Sequence, residues 1–152
     1  RVCFAIAAAV LAVTVHAGWT WDMANGTLTD GNWTFNTAKK VVTQDGVNGI
    51  QISNNAFTHA DPGNTVIDFT GGAVETASGV TYPVVSANIN FYGTAMNATK
   101  FIAPDVTVIG ALFQRNTYIE EVELSPNITS LGSERAFETC TALRKFSPEV
   151  MP

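Results

Sequence analysis

Cysteine and charge are what this 152-residue chain has least of. Its two cysteines are Cys3 and Cys140, and Cys3 lies inside an apolar N-terminal run. The remainder therefore has one thiol, which can neither close an internal disulfide nor build a cysteine-rich metal site. Charged residues make up only 14% of the chain, and acidic ones outnumber basic ones 13 to 8. A nucleic-acid binder needs a basic stripe to displace counterions, and a peripheral membrane protein needs a basic patch to meet anionic lipid. Neither is available here. The sequence contains no phosphate loop, zinc spacing, calcium loop or nucleophile elbow. No catalytic residue, cofactor or metal ligand is expected. Long helical periodicity is lacking too, while an apolar fraction of 46% is too high for disorder.

The one long apolar run comes first. Arg1 is followed by nearly unbroken apolar residues from Val2 to Val15, and then by His16-Ala17. A charged start, an apolar centre and a small-residue exit are the parts of a secretory signal peptide. Cleavage is expected after Ala17. The run is shorter than the roughly 20 residues a membrane span requires, and Trp19-Thr-Trp-Asp22 follows it in place of a basic flank. The mature chain is expected to begin at Gly18, to be secreted or held at the cell surface, and not to insert into a membrane. Losing Arg1 leaves it 7 of the 8 basic residues against 13 acidic ones. With no disulfide, its stability must come from packing.

Beyond Gly18 the chain alternates short apolar runs with Gly, Asn, Asp, Thr and Pro. Gly31–Phe35, Gly49–Ser53, Thr65–Phe69, Ser86–Phe91 and Glu121–Leu124 each read as a short strand closed by turn residues. Trp19 and Trp21 lie two apart, as do Trp33 and Phe35, so each pair falls on one face of a strand. The C-terminal third repeats. Phe113, Asn116, Ile119 and Val122 recur 24 positions later as Phe137, Cys140, Leu143 and Phe146. Ile102, Pro104, Val106, Ile109 and Gly110 recur 22 positions later as Leu124, Pro126, Ile128, Leu131 and Gly132. A unit of this size holds one strand and one return segment. It buries its apolar side only by stacking on neighbours.

The stretch Ile128–Val150 resembles the BspA-like leucine-rich repeat. That family's unit runs as aliphatic-Gly, Ala-Phe, Cys, Leu, a strand, and Pro before a further aliphatic. Here those places are Leu131-Gly132, Ala136-Phe137, Cys140, Leu143, Phe146, Pro148 and Val150. The preceding copy departs from it, with Leu112-Phe113 for Ala-Phe and Asn116 for Cys. The resemblance covers about residues 96–152 and implies a mainly β leucine-rich-repeat solenoid of 22–24-residue units. Residues 18–95 are read as an N-terminal β-rich cap or irregular region. Within it, Ile50–Ile52 and Val66–Phe69 are candidate early rungs. The last unit is interrupted at Pro152, so further repeats are expected beyond it.

The same resemblance implies a secreted or cell-surface protein that binds a protein or extracellular-matrix ligand, or a glycan, through its exposed strand face. The residues assigned to that face are Thr99 and Phe101, Glu121 and Glu123, and Lys145 and Ser147. Adding 24 sets Glu120 beside Arg144 and Glu121 beside Lys145, a charge ladder between rungs rather than an acid/base pair. Cys140 is read as a small core residue and the tryptophans as capping core, not as a sugar-stacking platform. His59 is placed in a polar loop far from Cys140. Two further readings stay open: a carbohydrate-active enzyme or glycan-binding protein on a parallel β-helix, and a structural spacer. Four Asn-X-Thr sequons begin at Asn25, Asn32, Asn97 and Asn127.

Overall fold

The computed structural model describes residues 18–53, 57–89, 97–110, 113–132 and 135–148. The expected leader and its exit at Ala17 lie outside the described residues. The chain is mainly β, and no helix is present among the described residues. The strands are β1 (Trp19–Asp22), β2 (Thr27–Thr29), β3 (Trp33–Phe35), β4 (Ala38–Val42), β5 (Asn48–Ser53), β6 (Phe57–His59) and β7 (Val66–Asp68). They continue as β8 (Ala73–Glu75), β9 (Thr81–Tyr82), β10 (Val84–Asn88), β11 (Lys100–Ala103), β12 (Val108–Ile109), β13 (Glu121–Leu124) and β14 (Lys145–Ser147).

Three sheets form. The first, ordered β6-β3-β2-β1-β8-β9, is antiparallel except where β1 lies parallel to β8. Its tight turns are clasped by carboxylates: Asp22 accepts the Asn25 amide, Asp30 those of Asn32 and Trp33, and Glu75 those of Ala77 and Ser78. Short polar side chains that satisfy turn amides are why such residues punctuate strands. The second sheet, β12-β10-β5-β4, is parallel apart from its edge hairpin β4–β5. The third, β14-β13-β11-β7, is parallel throughout. From β10 to β13 the chain alternates between the second and third sheets, and β14 then adds to the third beside β13.

Register explains the sequence pattern. Lys100 pairs with Glu121 and Glu121 with Lys145, so successive rungs of the third sheet are 21 and 24 positions apart. In the second sheet Ala87 pairs with Ile109 and Val108 bridges Ser130, two steps of 22. Ile67, Phe101, Val122 and Phe146 stack as one inward column. Aromatic contacts run the length of the core. Trp19 meets Phe69, Phe69 meets Phe101 at 5.8 Å, Phe101 meets Phe113 at 5.4 Å, Phe113 meets Phe137 at 5.7 Å, and Phe137 meets Phe146 at 5.1 Å. All of them belong to one contiguous hydrophobic cluster.

Two backbone features repeat with the side chains. Arg115 and Thr139, 24 apart, are the described non-glycine residues with positive φ, at 60° and 63°. Each precedes the residue that turns the chain back inward. Asn116 Oδ1 accepts the Tyr118 and Ile119 amides, and Cys140 Sγ donates to the Phe113 carbonyl at 2.9 Å. Gly132 has φ of 61°, and a Cβ there would strike the Ile109 carbonyl and the Gly110 Cα. The repeated glycine is thus the point where neighbouring backbones approach most closely.

Strand pairing passes the 95/96 boundary. β5 pairs with β10 and β7 with β11, so Ile50–Ile52 and Val66–Asp68 are parallel rungs continuous with the later ones. Phe101 is not on the exposed face: it is fully buried between Phe69 and Phe113. The 22-residue match was anchored on Pro104 and Pro126, yet the strands pair at 21. Pro104 follows β11 directly, whereas Ser125 stands between Leu124 and Pro126. A slip of one residue moves every side chain of a strand to its other face.

Candidate functional site

The third sheet turns two columns of side chains outward. The first is Val66, Lys100, Glu121 and Lys145, and the second is Asp68, Ile102, Glu123 and Ser147. The pattern follows from alternation: β11 and β13 both leave their first and third residues half-buried and bury their second and fourth. Beside the first column runs a third row, Thr65, Thr99, Glu120 and Arg144, linked through successive backbone hydrogen bonds. Thr99 belongs to that row, one position before β11, and is not on the strand face. Its hydroxyl is bonded to the Thr65 hydroxyl at 2.8 Å.

Charge on this surface is arranged between rungs. Arg144 Nη2 lies 2.6 Å from Glu120 Oε2, the contact that the 24-residue spacing predicts. Glu121 meets three cations, Lys100 at 3.2 Å, Arg144 at 3.7 Å and Lys145 at 3.8 Å. The Lys100 ammonium, by its hydrogen bond and its charge, holds the Glu121 carboxyl below the usual glutamate range. Glu120 likewise raises the Arg144 guanidinium. These side chains remain in contact with solvent, which screens each pair and keeps its contribution small. The ladder sets register and surface character more than stability.

The second column is different. Glu123 has no ion-pair partner among the described residues, and half-buried Ile102 separates it from Asp68. Of the residues assigned to the exposed face, the structure brings together Glu121, Glu123, Lys145 and Ser147. It puts Phe101 in the core and Thr99 at the margin. Lys100, Ile102, Val66 and Asp68 belong to the face and were missed. The signal was present in Lys100-Phe-Ile-Ala103, where Lys is the residue that must face water and Phe101 and Ala103 alternate with it.

At β7 the face meets the first sheet. In a parallel strand alternate carbonyls point to opposite sides, and those of Val66 and Asp68 point away from β11. Indole donors close them: Trp33 Nε1 reaches the Val66 carbonyl at 3.0 Å and Trp19 Nε1 the Asp68 carbonyl at 2.5 Å. Trp19, Trp21 and Trp33 are all buried, so they offer no platform for sugar stacking. A pocket of about 270 Å³ opens at this junction, lined by Gly18, Trp19, Asp30, Asn64, Val66, Asp68 and Thr70.

The remaining reactive side chains are dispersed. Cys140 is half-buried, and burial pushes its thiol up from the ordinary cysteine range. His59 lies in β6 rather than in a loop, stacked on Trp33 at 3.5 Å and bonded to the Asn64 carbonyl at 2.7 Å. Among the described residues no group of three or more His, Cys, Asp or Glu is placed to hold a metal ion. No helix among them is long and apolar enough to cross a membrane. Comparison of the chain with models of protein families, with curated proteins and with solved structures finds no match.

Proposed function

We propose that this chain is the N-terminal part of a secreted or cell-surface leucine-rich-repeat protein of the BspA-like kind. On this reading residues 1–17 are a signal peptide. The mature chain works by adhesive contact with a protein or matrix ligand, not by catalysis, and the repeats form a solenoid with the first sheet as its cap. The observation that carries the reading is the stack of parallel strands at 21- and 24-residue steps, with one face inward and apolar and the other outward in rows. Rows of side chains at strand spacing let many weak contacts add along an array.

Within the face, the column Asp68–Ile102–Glu123–Ser147 is the better contact surface. The neighbouring column is already engaged in ion pairs, whereas half-buried Ile102 beside Glu123 suits a partner with basic and aliphatic groups. The test is adhesion of the processed protein to surfaces coated with extracellular-matrix protein. Wild type is compared with Ile102→Asp plus Glu123→Lys, and with Val108→Asp on the second sheet as control. Loss of adhesion in the first variant alone supports the reading. Equal loss in both, or no adhesion by the wild type, removes it.

A further inference from the structure

We propose that the pocket at the cap–sheet junction seats the chain's own α-ammonium group, created at Gly18 when the leader is removed, with Asp30 and Asp68 as its counter-ions. The inference rests on the secretion part of the reading above, and it assigns a structural consequence to the cleavage.

Position comes first. Trp19 is fixed by its pairing with Ala73, by burial and by the hydrogen bond from its indole to the Asp68 carbonyl. Gly18 is one peptide unit away, about 3.8 Å between Cα atoms, and it lines the same pocket as both aspartates. Asp30 arrives from the turn between β2 and β3, and Asp68 from the end of β7, so two separate parts of the chain converge there.

Chemistry comes second. Asp30 Oδ1 accepts the Asn32 and Trp33 amides, and Asp68 Oδ1 accepts the Thr70 amide. The second oxygen of each carboxylate has no partner among the described residues. The other lining residues, Trp19, Asn64, Val66 and Thr70, carry no charge. His59, which is bonded to the Asn64 carbonyl, is not among them. The described ion pairs all lie elsewhere, on Lys100, Arg144 and Lys145. Both carboxylates line one cavity, and a positive charge placed there is attracted to each. Before cleavage the Gly18 nitrogen is a neutral amide with one proton. Hydrolysis of the Ala17–Gly18 bond turns it into an ammonium with three donors. The pocket has room for it with several waters, each taking roughly 30 Å³.

Two measurements separate the parts of this argument. The full chain is expressed with its leader in a secreting host, and intact mass gives the first residue of the product. A product beginning at Gly18 supports the processing step, and any other start overturns that step alone. The Gly18 α-amino group is then titrated by ¹⁵N NMR in that product, or in protein released at Gly18 from a cleavable fusion. Every described strand and core residue lies after Gly18, so this chain holds the whole described fold. The pKa is expected about one unit above the ordinary α-amino value of roughly 8. It should return to that value in the Asp30→Asn plus Asp68→Asn variant, whose amide oxygens still accept the turn N–H groups. It should also return when Ala17 is retained ahead of Gly18, a change that moves the charge away without touching either aspartate. An ordinary value in the wild type, or an elevated one that survives both changes, overturns the proposal.

Discussion

The two ends of the parallel sheet are finished in opposite ways. At β7 the outward carbonyls of Val66 and Asp68 receive indole N–H groups, and Trp19, Trp33, Phe35 and Phe69 seal the end of the core. At β14 the sheet ends on an edge strand. Phe137, Leu143 and Phe146 are only partly buried there, and the described charges are held in exposed ion pairs. A strand edge carries a row of donors and acceptors that must be paired, covered or solvated. The first sheet covers the β7 edge with buried aromatic donors. At the far end no described strand pairs with the outer side of β14. Among the described residues, one end of the sheet is closed by aromatic donors and the other is not.

The largest expected effect tests the register on which that contrast depends. Phe101→Ala should cost about 3–5 kcal/mol, the usual range for deleting a fully buried phenylalanine. Ile102→Ala, one position along and facing outward, should cost well under half as much. Chemical denaturation of the two variants decides the matter, and comparable losses would place β11 in the wrong register. Next comes the contrast between the ends. Trp33→Phe keeps an aromatic ring but leaves the Val66 carbonyl without its donor, at about 1–3 kcal/mol. Phe146→Leu at the open end conserves an apolar side chain in a half-exposed place and should cost less than about 1.5 kcal/mol. Equal costs would mean that the far edge is closed as firmly as the cap.

How much of this was readable in the sequence follows from where local rules were sufficient. Glu121-Val-Glu-Leu124 alternates cleanly, and its step of 24 to Lys145 was legible because Phe113, Asn116, Ile119 and Val122 all recur at that spacing. β11 misled because proline marks the end of a strand only to within a residue. Ser125 has no counterpart before Pro104. β7 was visible as a strand, whereas the donors that finish it were not. Trp19 and Trp33 lie 49 and 33 positions from the carbonyls they reach, and no local pattern encodes such pairs. β4 was missed because Ala38-Lys-Lys-Val-Val42 is an exposed edge strand whose lysines mask its alternation. The pocket required tertiary structure, since Gly18, Asp30 and Asp68 meet only through the packing of three separate elements.

A smaller effect of opposite sign sharpens the picture of the open end. Thr139 holds φ of 63°, a conformation costly for a β-branched residue. It is exposed, so little packing is lost when its side chain is removed. Thr139→Gly should therefore raise stability by up to about 1 kcal/mol, whereas glycine in an ordinary strand position lowers it by a similar amount. A rise in the thermal midpoint confirms that this turn is strained in the folded chain. A fall shows that the left-handed turn is not maintained in solution.

The smallest effects separate the two ends by mechanism. Glu75 in the cap and Glu121 near the open end both have carboxyl pKa values below the usual glutamate value of 4.5. The causes differ. Glu75 is held down by the Ser78 hydroxyl and by the Ala77 and Ser78 amides, none of them charged. Glu121 is held down by Lys100, with Lys145 and Arg144 adding to it. In both cases a lowered folded-state value means stabilisation that is present above the unfolded-state pKa and is lost as pH falls through the folded one. Acid titration of stability should therefore flatten in both Glu75→Gln and Glu121→Gln. Salt should distinguish them. At about 1 M ionic strength the screening length falls to about 3 Å, which erases exposed ion pairs but leaves neutral hydrogen bonds in place. The difference between wild type and Glu121→Gln should vanish in high salt while that between wild type and Glu75→Gln persists. If both vanish, the cap turn depends on charge as much as the ladder does. If both persist, the Glu121 cluster is more shielded from solvent than its exposed lysines indicate, and the open end is less open than the strand order alone makes it.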